Sequence, residues 1–193
     1  MKLKNNLSLT GFTMVEIVVI LAIITILSAV VLFNFTGFNE GAVLNRSVRE
    51  LSLAIRRAQN MSLSVTQIIV GMPPVPRIPP AIGIQFTKNQ SIYTLFADLE
   101  PRDNKYSDAG EKIGADEIFQ RNIKISDLTD DKNTSYNRIN ILFTAPEATI
   151  IFSDTNGINL TSSVSAVNIK LQTPSGQLTK TITVRTSGQI SVK

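Results

Sequence analysis

No cysteine, no histidine and no tryptophan occur among the 193 residues. Without cysteine there is neither a disulfide framework nor a thiolate metal site, and the redox compartment stays undefined. Without histidine the commonest general base and the commonest transition-metal ligand are both missing. There is also no Gly-rich phosphate loop and no nucleophile-plus-base constellation, so neither an enzyme nor a bound cofactor is expected. Charge is modest: 19 basic and 15 acidic residues leave +4, too little to imply nucleic acid as a partner. It is scarcest near the start, where Glu16 is the one charged residue between Lys4 and Glu40.

What surrounds Glu16 is hydrocarbon. Phe12 to Phe35 is 24 residues, and from Ile17 to Phe33 only Thr25 and Ser28 interrupt the apolar side chains. As a helix this run spans about 36 Å at ~1.5 Å per residue, more than the ~30 Å apolar thickness of a bilayer. A buried core helix is rarely apolar on every face, so membrane insertion is expected. A cleaved secretory signal fits less well. Its apolar region runs only ~7–15 residues and ends at small residues, whereas Leu32, Phe33, Asn34 and Phe35 follow here. A carboxylate inside such a run costs on the order of 2.5–3.5 kcal/mol at the bilayer centre, so Glu16 needs a partner, a purpose or a place near the interface.

The stretch "GFTMVE", Gly11 to Glu16, follows a short basic leader and opens the apolar run. It resembles the class III signal of type IV prepilins and type II secretion pseudopilins. The resemblance implies that prepilin peptidase cuts between Gly11 and Phe12 and that Phe12 becomes an N-methylated N-terminus. Glu16 is then the fifth residue of the mature chain. Cleavage would place an ammonium on Phe12, and in staggered helices the Glu16 carboxylate of one subunit could meet it on a neighbour. Two unfavourable buried charges would become one charge-assisted contact, and methylation keeps the charge. Glu16 is on this reading the key to register in assembly.

Helical periodicity resumes beyond Gly37 and Gly41. Leu44, Val48, Leu51, Ile55, Ala58 and Val65 form one apolar stripe, with Arg46, Arg49, Arg56 and Arg57 mostly off it. Such a stripe is the face a helix packs on its own domain. Residues 71–83 then hold five of the eight prolines, which fix φ and remove donors. A stiff extended linker is predicted there. After it the apolar period falls to two, at Ile82–Ile84–Phe86, Tyr93–Leu95–Ala97, Ile139–Ile141–Phe143, Val167–Ile169–Leu171 and Ile182–Val184. Turn chemistry separates these runs at Thr87, Asp154, Thr173 and Thr186. The expected organisation is a leader at 1–11, a transmembrane half-helix at 12–35, an amphipathic half-helix at 36–70, a Pro-rich linker at 71–80 and a β-rich head at 81–193. The fold class is α+β, a pilin-like lollipop with seven or eight antiparallel strands in its head.

"YTLFADLEPRDNKYSDAGEKI", Tyr93 to Ile113, and the closing "TKTITVRTSGQISVK", Thr179 to Lys193, are similar to segments of the GspH/FimT group of minor pseudopilins. The first is that group's strand and acidic loop; the second is its last hairpin, turned at Ser-Gly. The resemblance implies a non-enzymatic structural subunit of a type IV pilus or type II secretion pseudopilus. Its partners would be other pilin or pseudopilin subunits, prepilin peptidase and the inner-membrane assembly platform. It would be a single-pass protein of the bacterial inner membrane, with its head outside the cytoplasm, and then part of a filament. The alternative is a filament-displayed module for DNA uptake or surface adhesion. Nucleic acid is the less favoured partner, because removal of Lys2 and Lys4 with the leader leaves 17 basic against 15 acidic residues. The acidic loop offers hard oxygen donors at Asp98, Asp103, Asp108 and Glu111. Its spacing matches no EF-hand, so a solvated connection with no metal is expected, and a calcium loop built on Asp98, Asp103 and Asp108 is the alternative.

Overall fold

The computed structural model describes residues 11–65, 67–71 and 73–193, with the side chains of 32–38 outside that description. The expected leader therefore lies outside the described residues, apart from Gly11. The chain is α+β, with one N-terminal apolar helix followed by antiparallel sheets, and it divides into two compact units at Asn39/Glu40. Helix α1 runs Met14–Ser64, 51 residues, and contributes to both units.

In the first unit every residue of Met14–Val31 is exposed, although Thr25 and Ser28 are the only polar side chains after Glu16. Among the described residues this is one helix long and apolar enough to cross a membrane. Within it the backbone polar groups are satisfied by the helix itself, the condition that hydrocarbon imposes on any spanning segment. The Thr25 hydroxyl donates back to the Leu21 carbonyl at 2.7 Å, which also removes a side-chain donor that lipid could not satisfy.

In the second unit the helical stripe packs as its spacing requires. Leu44, Val48, Leu51, Ile55 and Ala58 are buried, while Arg46, Arg49, Arg56 and Arg57 are exposed. Two sheets share the core that this stripe enters. One has the order β5(Glu117–Ile118), β4(Ile92–Asp98), β3(Ala81–Thr87), β7(Arg138–Thr144), β8(Thr149–Ser153). The other has the order β11(Ile190–Val192), β10(Thr179–Arg185), β9(Ala166–Gln172), β6(Lys124–Asp130). Ile84, Phe86, Ile141 and Phe143 come from the first sheet, and Ile169, Leu171, Ile182 and Val184 from the second. Each set is the inward half of an alternating strand. The final hairpin turns at Ser187-Gly188, where Gly188 has φ +86° and donates to the Arg185 carbonyl at 2.9 Å.

The five-stranded sheet is covered on its other face as well, by the loop between β4 and β5. Phe96 is 0% exposed there, clustered with Ala81 and Leu142 and 5.9 Å from the Tyr106 ring centroid. Gly83, directly opposite Phe96 in the ladder, makes the room: a Cβ there would lie 2.4 Å from the ring.

Three expectations need correction. The amphipathic helix ends at Ser64, not 70, because Val65 takes a left-handed φ of 45°; its side chain is exposed and does not extend the stripe. The 71–80 segment is not a plain linker. Val75–Arg77 (β2) pairs antiparallel with Ile68–Val70 (β1), in a two-stranded ribbon whose Pro76 removes only one ladder donor. The described residues form eleven strands in three sheets, of which β3 to β11, nine strands in two sheets, fall in the head rather than seven or eight, the surplus being short pieces such as β5 and β11.

Candidate functional site

The helix entry is built from Gly11, Phe12, Thr13 and Glu16. Gly11 lies in non-helical backbone, and a Cβ added to it would meet none of the described residues within 4 Å. Phe12 is 75% exposed, so the peptide between them is open to another protein. Thr13 is the residue before the helix. Its hydroxyl accepts the Glu16 amide at 3.3 Å and its carbonyl accepts the Ile17 amide at 3.2 Å. Thr13-Met14-Val15-Glu16 is therefore the spacing of a capping box, and an acid in the first turn also meets the positive end of the helix dipole. This local role for Glu16 is legible in "TMVE" and is additional to the assembly role expected for it. The carboxylate is exposed and stands at the end of the apolar run rather than at its middle.

The second cluster belongs to the β4–β5 loop of the other unit. Asp98 ends β4 opposite Ala81 in the ladder, on the face that Phe96 also uses, and so lies beneath the loop. Glu111 enters from the far side of the loop. The segment Glu111–Ile113 runs beside β4, with the Ala97 amide donating to the Glu111 carbonyl at 2.7 Å and the Ile113 amide to the Leu95 carbonyl at 2.9 Å. Between them the loop is held down twice. Ser153 donates its hydroxyl to the Asn104 carbonyl, and Gly157, at φ +81°, lets the Asp103 carbonyl approach so closely that a Cβ would lie 2.0 Å from it.

Asp98, Asp103 and Glu111 each bring one carboxylate oxygen within 4.8 Å of the others. Asp108 is not among them: it accepts the Gly110 amide at 2.6 Å and serves its own turn. Glu111 thus takes the place that the calcium-loop alternative gave to Asp108. The loop is solvated as expected over 100–102 and 107–110, but the carboxylates at its two ends are not, Asp98 being 0% and Glu111 8% exposed. The reason lies in their partners. Asp98 Oδ1 accepts the Asp103 amide at 3.2 Å, and Glu111 accepts the Ser107 amide at 2.9 Å and the Leu99 amide at 3.4 Å. These bonds fold the loop over the two carboxylates. Burial pushes the pKa of both carboxyls up, against the lowering effect of those amides and, for Asp98, of Arg102. Asp103 and Glu111 also line a cavity of about 530 Å³ opening between this loop and the Pro-rich ribbon, where the Gly71 amide donates to the Lys112 carbonyl at 2.9 Å.

Compared with protein-family models, with curated proteins and with solved structures, the chain finds no match in any of the three.

Proposed function

We propose that this chain is a minor pilin or pseudopilin, a non-enzymatic structural subunit of a type IV pilus or a type II secretion pseudopilus. Prepilin peptidase would cut it after Gly11 and methylate Phe12. The apolar half of α1 would first anchor it in the bacterial inner membrane with the head outside the cytoplasm, then join it to other subunits on the assembly platform. The observation that carries this reading is the helix entry. An exposed Gly11–Phe12 peptide, with no described neighbour within 4 Å of a Cβ at Gly11, directly precedes the apolar stretch Met14–Val31, whose one acid, Glu16, sits in the first turn of the helix. An ordinary core helix also takes an acid in its first turn but buries its apolar residues, which Met14–Val31 does not, and a signal peptide removed after its apolar region would discard the arrangement.

The alternative, a displayed module for DNA or surfaces, wants an open basic face. Two basic side chains of the head are instead engaged by acids, Lys88 with Asp127 at 2.7 Å and Lys112 with Asp116 at 2.7 Å, and on α1 Arg46 pairs with Glu50 at 2.8 Å. That supports the structural reading.

The test is Gly11→Val in a bacterium that carries a prepilin peptidase. A side chain at Gly11 would meet none of the described residues within 4 Å, so the substitution bears on the cut site rather than on packing. The variant is expected to accumulate in the membrane at precursor mass. Processing at the wild-type rate would refute the proposal.

A further inference from the structure

Clustered carboxylates are common on protein surfaces, but the β4–β5 cluster differs from them at one atom. The Asp98 side chain is 0% exposed, and its Oδ2 accepts no hydrogen bond. The Arg102 Nε pairs with it loosely at 3.6 Å, too far to donate a hydrogen bond. A buried carboxylate oxygen without a donor is costly, and buried charges are ordinarily paired, hydrogen-bonded or bound to metal. The two acids facing Asp98 make matters worse by repulsion, unless something positive lies between them.

We infer that Asp98, Asp103 and Glu111 hold a divalent cation of the calcium class. At ~2.3–2.6 Å from calcium, two opposite ligands lie about 4.6–5.2 Å apart and three evenly spread ones about 4.0–4.5 Å. The three oxygens lie no more than 4.8 Å from one another, so one ion reaches them all with at most a small side-chain adjustment. The other bonds of these carboxylates hold the set in place. Asp103 accepts the Lys105 amide at 3.2 Å and the Ser107 hydroxyl, while Asp98 and Glu111 are fixed by the amides already described. Water entering through the cavity beside Asp103 and Glu111 would complete the coordination, as is usual for calcium. Two basic side chains oppose the ion: Arg102, and Lys105, whose Nζ is 3.7 Å from Asp103 Oδ2. Three acids against two bases leave one net negative charge. Affinity is accordingly modest, of order 10⁻⁴–10⁻³ M, the range of calcium modules that work outside the cytoplasm.

Full-length protein in non-ionic detergent, stripped with EDTA and dialysed, tests this by calorimetric titration with calcium chloride and by thermal melting. One calcium per chain is expected, with magnesium at least tenfold weaker and a Tm that rises in millimolar calcium. Asp98→Asn keeps the oxygen that accepts the Asp103 amide and removes the charge. It should lose calcium binding, yet melt at or above wild type in EDTA, so that the order of the two melting temperatures reverses when calcium is added. Glu111→Gln should weaken binding at least tenfold, and Asp108→Asn should bind like wild type. The inference is overturned by no calcium binding up to about 10 mM, well above the expected range. Equal affinity for magnesium, or binding that survives both Asp98→Asn and Glu111→Gln, overturns it too. If Asp98→Asn does not fold, the wild-type titration and Glu111→Gln decide the matter alone.

Discussion

Replacing Glu16 with glutamine separates two roles that alanine removes together. Glutamine keeps the length and the capping competence of the third helical position and loses only the charge. Thr13→Ala does the converse: it deletes the 3.3 Å bond to the Glu16 amide and leaves the carboxylate in place. The two effects differ in size. Loss of an N-cap costs about 0.5–2 kcal/mol, and in a helix of 51 residues it frays no more than the first turn. Stranding the Phe12 ammonium of a neighbour without its carboxylate costs about 3–5 kcal/mol. At ~1.4 kcal/mol per factor of ten, that is a loss of assembly of a hundredfold or more. Membrane insertion should not suffer, because both Glu16 variants remove the acid that lipid disfavours. Immunoblots of membrane and sheared-filament fractions, with the N-terminus of each variant verified, are the assay. Thr13→Ala should enter filaments at close to the wild-type level, and Glu16→Gln and Glu16→Ala should be processed, membrane-bound and missing from filaments. If Glu16→Gln assembles like wild type while Glu16→Ala does not, the carboxylate acts as a cap and the pairing argument is refuted.

Gly83→Ala should destabilise the head by about 1–3 kcal/mol, the usual cost of overpacking, because its Cβ would lie 2.4 Å from the fully buried Phe96 ring. Phe96→Leu in the same chain should make the alanine nearly neutral, a coupling readable from urea midpoints; additive effects would contradict the packing. Asp127 is held below the usual carboxylate range first by Lys88 and then by Ser135, each at 2.7 Å. A lowered folded pKa contributes stability above the unfolded value of about 4 and loses it as pH falls through the folded one. Lys88→Met should therefore cost up to ~1 kcal/mol at pH 7 for this partly exposed pair, and the gap from wild type should close below pH 4. A gap that persists at pH 2.5 would show that the stem of Lys88, and not its charge, is what matters.

The legible parts of the sequence were those whose period is regular. The stripe from Leu44 to Ala58 and the alternating runs of β3, β4, β7, β9 and β10 lie where their spacing puts them. Strand β6 is not legible because a bulge between Ile125 and Asp127 sets its inward residues, Ile125 and Leu128, three apart instead of two. Strand β8 hides as the short run Ile150–Phe152, which carries no alternation. Pro-rich composition argued for extended chain but not for the pairing of β1 with β2, which depends on tertiary contacts. In the acidic loop the donor types could be read and their grouping could not. Glu111 reaches Asp98 only because its segment runs back alongside β4. The burial of Asp98 follows from a cross-strand neighbour, Ala81, that is 17 residues away. At the helix entry all four residues are legible, and so is the capping spacing of Thr13 and Glu16.

The central claim is that this chain is cut after Gly11 and lives on as a subunit that begins with Phe12. Mass spectrometry of the N-terminal peptide of protein extracted from the membranes of its own host measures that directly. The expected species begins at Phe12 and carries one N-methyl group, with Met1 to Gly11 absent. A mature chain that still begins at Met1, or one cut after Ala29 at the far end of the apolar run, would contradict it.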